Sequence, residues 1–132
     1  MTVEERVALV RSGYERLNDQ DLEGLLALFT DDIEWPDAVN GSVLQGIEEV
    51  RAYFTRVFEI TKVSVLVGDV FEIGDALVAT TFQHFYDLDG RPVGEPRVVV
   101  NRFTFRGDRV SAMALTSHGE IPEEVRNRFP EG

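Results

Sequence analysis

The sequence contains no cysteine, so it can form neither a disulfide nor a thiol-based catalytic site. It contains no apolar run that approaches the roughly 20 residues of a membrane-spanning helix. Basic residues are few beside acidic ones, 13 against 24. The resulting net charge of −11 disfavours nucleic acid or an anionic membrane surface as a partner. The first residues lack the pattern of a signal peptide, which favours a cytoplasmic location.

What remains is the composition of an ordinary globular protein. The chain has 132 residues, of which 43% are hydrophobic, and this is enough for one domain with its own core. No repeat, linker or low-complexity segment divides it. We therefore expect a single domain over residues 1–132.

The first half of the chain has the pattern of helices. Thr2 and Glu5 are spaced as a capping box, and apolar residues then recur at intervals of three and four as far as Leu17. This predicts a first helix, which the polar residues 18–21 end. Further apolar spacing predicts a short second helix, and a third that begins at Gly46.

The second half of the chain has the pattern of strands. Four are predicted, at residues 63–73, 76–88, 98–106 and 110–117. Glycine-containing turns between them favour antiparallel hairpins. A short strand is also expected at residues 33–35, ended by Pro36 and followed by a loop at 39–44. Helices followed by a meander of strands predict an α+β fold in which the helices cover one face of the sheet.

Asn101 is the most informative single residue. On its predicted strand it shares a face with Phe103 and Phe105, because side chains two apart point the same way. An unsatisfied buried amide costs roughly 1–3 kcal/mol, so Asn101 requires partners. Two interpretations remain open. The amide is either a structural group bonded to neighbouring backbone, or a polar group that points into a ligand pocket.

Four segments carry a resemblance to a known fold: Tyr14 to Leu22, Leu28 to Trp35, Gln45 to Val50, and Arg102 to Val110. With these segments the chain resembles the nuclear transport factor 2-like superfamily and, within it, the SnoaL-like domains. The resemblance implies a conical barrel, in which a curved, mostly antiparallel sheet wraps around three N-terminal helices as a cystatin-like α+β roll. It also implies a deep apolar pocket, and often a homodimer formed through the outer face of the sheet.

The same resemblance suggests catalytic residues, because the superfamily includes ketosteroid isomerases. Tyr14 matches their oxyanion-hole tyrosine, Asp37 the aspartate that moves the proton, and Asn101 the acid that donates the second hydrogen bond. Such a set is chemically coherent, since an enolate needs hydrogen-bond donors and a base. The alternatives are a core tyrosine at 14 and a solvated turn aspartate at 37. Phe29 and Phe54 replace tyrosines of that family, so we do not predict a steroid substrate.

A second candidate acid or base is His84, on the strand at 76–88. The register of the resemblance places its face, with Phe82 and Tyr86, toward the pocket. The alternative is a structural histidine bonded to a neighbour. The opposite face of this strand is then expected to form the dimer interface, through Ala79, Thr81, Gln83 and Phe85.

The pocket wall is expected to be apolar and to suit a small, flat ligand. Its predicted members are Trp35, Phe54, Phe58, Phe82, Tyr86, Phe103, Met113, Leu115 and Ser117. The acids and histidines show no spacing typical of a metal site, so we expect neither a metal nor another cofactor.

Two kinds of function stay open. The first is a cofactor-free enzyme of isomerase, cyclase or dehydratase type that moves a proton on an apolar carbonyl compound. The second is a non-catalytic binder of a hydrophobic ligand, or a dimerisation module.

Overall fold

The computed structural model describes residues 1–37 and 41–116. Along the chain it contains helices α1 (Val3–Asn18) and α2 (Leu22–Leu26), strands β1 (Phe29–Asp37) and β2 (Ser42–Gln45), helix α3 (Ile47–Ile60), and strands β3 (Lys62–Ile73), β4 (Ala76–Tyr86), β5 (Pro92–Arg106) and β6 (Arg109–Leu115). In this part of the chain no helix has the length and apolar character needed to cross a membrane.

Local sequence signals account for the helix starts. The Thr2 hydroxyl accepts a hydrogen bond from the Glu5 amide at 3.1 Å, and the Glu5 carboxylate bonds the Thr2 amide in return. The predicted capping box is thus confirmed. At the start of α3, Gly46 has a φ of 92°, which a residue with a side chain rarely adopts. Its amide donates to the Ile33 carbonyl at 2.8 Å and ties the helix to β1.

The strands form one curved, unclosed sheet in the order β2-β1-β6-β5-β4-β3. Neighbours are antiparallel, as predicted, except that β1 and β6 run parallel. The helices pack against one face, here called the inner face, and the opposite face is called the outer face. The predicted α+β class and cone-like shape are confirmed.

Some strand boundaries differ from the prediction. β1 continues through Pro36, which pairs with Val43 of β2, so the loop expected at 39–44 contains part of a strand. Proline is tolerated there because Glu34 is the last β1 residue paired with β6 in the described chain, and Pro36 lies beyond it. β5 begins at Pro92, six residues earlier than predicted, because its first part pairs with the end of β4.

The curvature of the sheet has a local cause in β3. The pairing of β3 with β4 shifts register between Val67 and Val70, as it does at a bulge. A Cβ atom at Gly68 would lie 3.3 Å from the Thr80 hydroxyl, so a side chain there would fit only if its neighbours moved by a few tenths of an ångström.

Side chains of α1 form hydrogen bonds with the backbone of the edge strand β3. Asn18 donates its amide nitrogen to the Val65 carbonyl at 2.9 Å and accepts from the Val65 amide at 2.8 Å. Arg11 donates to the Gly68 carbonyl at 3.1 Å. These bonds occupy groups of an edge strand that would otherwise be open to another chain, and they hold α1 against the inner face.

Candidate functional site

A central cavity of about 170 Å³ lies between the inner face of the sheet and helices α1 and α3. Tyr14 lines it from α1, Trp35 from β1 and Phe54 from α3. Residues from β3 to β6 complete the wall, which is mainly apolar. The volume lies below the ~300–1,000 Å³ of typical pockets for drug-sized ligands, so the enclosed part fits a small molecule.

The polar end of the cavity is a pair of side chains 87 residues apart in the sequence. The Asn101 side-chain nitrogen donates a hydrogen bond to the Tyr14 hydroxyl oxygen. Asn101 is 1% exposed and Tyr14 is 6% exposed. Within the described residues the Asn101 Oδ1 atom has no hydrogen-bond partner. Asn101 thus lines the cavity and bonds the Tyr14 side chain, not neighbouring backbone, and its role toward a ligand stays a prediction.

The electrostatics of Tyr14 follow from this burial. Loss of solvent raises the pKa of Tyr14 well above its usual value, and the hydrogen bond from Asn101 opposes that shift to a smaller extent. The side chain is therefore a neutral phenol. Because Asn101 donates in this pair, the phenol keeps its own hydrogen for an acceptor. The pair together contains one O–H donor and one carbonyl acceptor that form no other hydrogen bond within the described residues.

Asp37 lies close to this site but not in it. It follows Trp35 by two residues on β1, is 7% exposed, and shares the inner face with it. Its side chain lines a neighbouring depression beside β2. That depression and the central cavity have Pro36, Met113 and Leu115 in common. Of the three residues matched to the ketosteroid isomerases, Tyr14 and Asn101 are thus in contact, and the Asp37 carboxylate lies apart from them.

The prediction of which face of β4 points toward the cavity was wrong. Ala79 lies opposite Asn101 in the β4–β5 ladder, and Gln83 and Phe85 line the central cavity. His84, Phe82 and Tyr86 alternate with these residues and therefore lie on the outer face. Alternation defines two faces, and both faces of β4 carry apolar side chains, so the pattern alone did not decide which one faces inward.

His84 accordingly has a local partner rather than a place in the cavity. Its Nδ1 atom is 2.8 Å from the Tyr86 hydroxyl, and the two ring centroids are 4.4 Å apart. This matches the structural alternative for His84. The predicted dimer residues on the other face of β4 likewise point inward.

Some of the other predicted wall residues line the cavity, and others pack in the core. Those that line the central cavity are Trp35, Phe54, Met113 and Leu115. Phe103 packs edge-on against Tyr14, with ring centroids 6.1 Å apart, in the core below the cavity. Phe58 packs against Phe54 at 6.0 Å. Ser117 lies outside the described residues.

Sequence reasoning missed several cavity residues, of which Gln83 and Arg97 are polar. Arg97 lies opposite Gln83 in the β4–β5 ladder, and its guanidinium carbon is 5.6 Å from the centroid of the Phe85 ring. The signal was available, because Arg97 precedes Asn101 by four residues on one strand. The two must share a face, whichever face that is.

The described residues contain no group of three or more histidine, aspartate or glutamate side chains that could hold a metal ion. The site chemistry visible here is therefore that of a neutral phenol, an amide, a guanidinium and a nearby carboxylate.

Comparison with known proteins places this geometry in a family. The model of the SnoaL-like domain matches residues 10–113. A nuclear transport factor 2-like protein of unknown function from Burkholderia pseudomallei is 23% identical, with a TM-score of 0.73 over 88% of this chain and 91% of that chain. RV0760c from Mycobacterium tuberculosis, solved in complex with estradiol-17beta-hemisuccinate, is 19% identical, with a TM-score of 0.74 over 86% and 94%.

A computationally designed 17-OHP binder is also 19% identical, with a TM-score of 0.75 over 86% of this chain and 93% of that chain. No curated protein matches the chain. At these identities the solved structures show the fold alone. Because the family model spans well over half of the chain, the protein belongs to the SnoaL-like domain family, and its fold is that of the nuclear transport factor 2-like proteins.

Proposed function

We propose that the protein binds a small, largely apolar organic molecule in the central cavity, with a hydroxyl group of the ligand at Tyr14 and Asn101. The observation that carries this proposal is the Asn101 Oδ1 atom, which is buried and unpaired in the described chain. Such an atom costs roughly 1–3 kcal/mol unless a donor reaches it. A ligand hydroxyl would donate to Oδ1 and accept from the Tyr14 phenol.

Two of the similar proteins support the kind of ligand. RV0760c was solved with estradiol-17beta-hemisuccinate, and the designed protein binds 17-OHP. Both ligands combine an apolar body with polar groups. The cavity of about 170 Å³ favours a smaller body here, of one or two rings.

The test compares two probes that differ by one hydroxyl, 2-naphthol and naphthalene. We expect saturable binding of 2-naphthol by fluorescence titration, about tenfold tighter than naphthalene, because the hydroxyl satisfies two buried groups. Asn101→Leu should abolish the difference between the probes. His84→Gln, on the outer face, is the matched control and should preserve it. Equal affinity of the two probes for the native protein would refute the proposal.

A second candidate function is proton transfer, with Asp37 as the base. What favours it is the common wall of Pro36, Met113 and Leu115 between the Asp37 depression and the cavity. A carbonyl compound held by the Tyr14 phenol would place negative charge at a donor as an α-proton leaves. This enzyme would be a cofactor-free isomerase or lyase.

The assay for this second function is deuterium exchange at the α-carbon of 2-tetralone, followed by NMR. We expect Asp37→Asn to lower the catalysed rate by about 10²–10⁴-fold, the usual loss when an acid–base group is removed. Glu34→Gln, an exposed acid on the same strand, is the control. If the native protein exchanges 2-tetralone no faster than buffer, catalysis of this type is excluded and the binder remains.

We also propose a homodimer through the outer face, with corrected residues. Leu66, Phe82 and Val98 form one row across β3, β4 and β5. Leu66 is 68% exposed and Val98 is 45% exposed, which is unusual for neighbouring apolar side chains. Leu66→Glu should shift the sedimentation coefficient from dimer to monomer. A native protein that is monomeric at micromolar concentration would contradict the proposal.

A further inference from the structure

Arg97 is a cation that faces an apolar cavity. It lines the central cavity, and its side chain is exposed, so it marks the open end of the cavity, here called the mouth. The pairing of β5 with β4 is regular from Arg97 to Asn101, so about 13 Å of extended strand separates the two Cα atoms. One wall of the cavity thus carries an amide at its buried end and a guanidinium at its mouth.

No carboxylate in the part of the chain that the structure describes forms an ion pair with Arg97. Among the described residues the ion pairs involve Arg51 and Arg106, and none involves Arg97. The residue directly opposite on β4 is Gln83, whose side-chain nitrogen donates to the Thr81 hydroxyl at 3.2 Å. In a chain with 24 acidic residues and a net charge of −11, an arginine at a cavity mouth that has no carboxylate partner among the described residues requires an explanation.

The position of the guanidinium is suited to anion binding. It lies 5.6 Å from the Phe85 ring centroid, a contact that restrains the planar group at the mouth. Stacking on a ring face leaves the in-plane N–H groups available. These N–H groups form the fork that pairs with a carboxylate through two parallel hydrogen bonds.

We propose that Arg97 binds the carboxylate of the ligand, and that the cavity selects an amphipathic hydroxy acid. This rests on the proposed binding function. The hydroxyl group lies at Tyr14 and Asn101, the apolar body lies between the walls of the cavity, and the carboxylate reaches the open mouth. The small enclosed volume holds the ring system, and the charged end stays in contact with water.

The test uses 2-naphthol and 6-hydroxy-2-naphthoate, which share the hydroxyl and the ring system and differ in the carboxylate. We expect the native protein to bind the naphthoate about tenfold more tightly by isothermal titration. Arg97→Gln should remove this preference, so that the variant binds the two probes with equal affinity. Arg102→Gln is the matched control, because it removes an equal charge from the outer face of the same strand and should retain the preference.

The possible results separate this proposal from the binding function itself. If 2-naphthol binds and the naphthoate binds no better, the carboxylate site is overturned and the binding function stands. If Arg97→Gln and Arg102→Gln weaken the naphthoate equally, the effect is one of net charge and the site is again overturned. If neither probe binds, both proposals fail. The probe 6-hydroxynaphthalene-2-sulfonate carries a tetrahedral anion in place of the planar carboxylate. If the protein binds this sulfonate more tightly than the naphthoate, the carboxylate assignment is contradicted.

Discussion

Replacement of Asn101 by leucine should lower the free energy of unfolding only slightly or raise it, although the residue is only 1% exposed. The amide contributes one hydrogen bond, to Tyr14, worth about 0.5–1.5 kcal/mol. It also buries the unpaired Oδ1 atom, which costs about 1–3 kcal/mol. Leucine has a similar shape, so the packing change is small. The free energy of unfolding should therefore change by about −0.5 to +2.5 kcal/mol, where a positive value means greater stability.

Substitution of Tyr14, the hydrogen-bond partner of Asn101, should instead destabilise the protein. Tyr14→Phe removes the acceptor of the buried Asn101 N–H group, and this should lower the free energy of unfolding by about 1–3 kcal/mol. In the double variant both polar partners are gone, so the loss caused by Tyr14→Phe should largely disappear. Urea unfolding of the four proteins, with equal m-values, measures the coupling between the two side chains.

Thr81→Val provides the comparison with a buried polar group that is fully paired. Thr81 is 0% exposed on the same face, and its hydroxyl donates to the Val99 carbonyl at 2.8 Å and accepts from Gln83. Its loss should lower the free energy of unfolding by about 1–2 kcal/mol. If Asn101→Leu lowers it by more than about 2 kcal/mol, the amide is structural and the reasoning about a ligand-facing oxygen is refuted.

Three further predictions concern other parts of the molecule. Asn18→Ala should lower the free energy of unfolding by about 1–3 kcal/mol and speed hydrogen exchange at the Val65 amide, because both hydrogen bonds between the Asn18 side chain and the Val65 backbone disappear. Unchanged exchange would show that these bonds contribute little. Because burial raises the pKa of Tyr14, its contribution to stability is complete below about pH 10 and is lost as the pH rises toward the folded-state pKa. Stability should therefore fall above pH 10 in the native protein and fall less in Tyr14→Phe, and equal slopes by urea unfolding would contradict this. His84→Gln should not alter 2-tetralone exchange, since His84 lies on the outer face, and a loss above tenfold would restore it as a catalytic candidate.

Local sequence patterns were sufficient for most secondary structure. The capping box at Thr2, the apolar spacing along α1 and the turn residues at Gly74 and Gly107 each act within a few residues. Chain neighbours decide such features, so they survive whatever the rest of the fold does. The sequence also showed that Asn101 shares a face with Phe103, and in the structure both side chains are buried.

The resemblance to the SnoaL-like domains supplied what local patterns lack. Tyr14 and Asn101 are 87 residues apart, and no spacing rule connects them. The family register suggested both as site residues, and the fold brings them into contact. The same register placed Asp37 with them, whereas it lines a separate depression.

Only the tertiary structure decided which side of each strand faces the helices. The alternation on β4 was read correctly as two sets, but His84 was assigned to the inner set although Gln83 and Phe85 occupy it. Alternation along a strand shows that neighbouring side chains lie on opposite faces, but it does not show which face is inside. The pairing register, the bulge at Gly68 and the parallel pairing of β1 with β6 determine the inner face. The sequence by itself thus determined the elements and their two-sidedness. Long-range pairing determined the cavity, its buried amide and the arginine at its mouth.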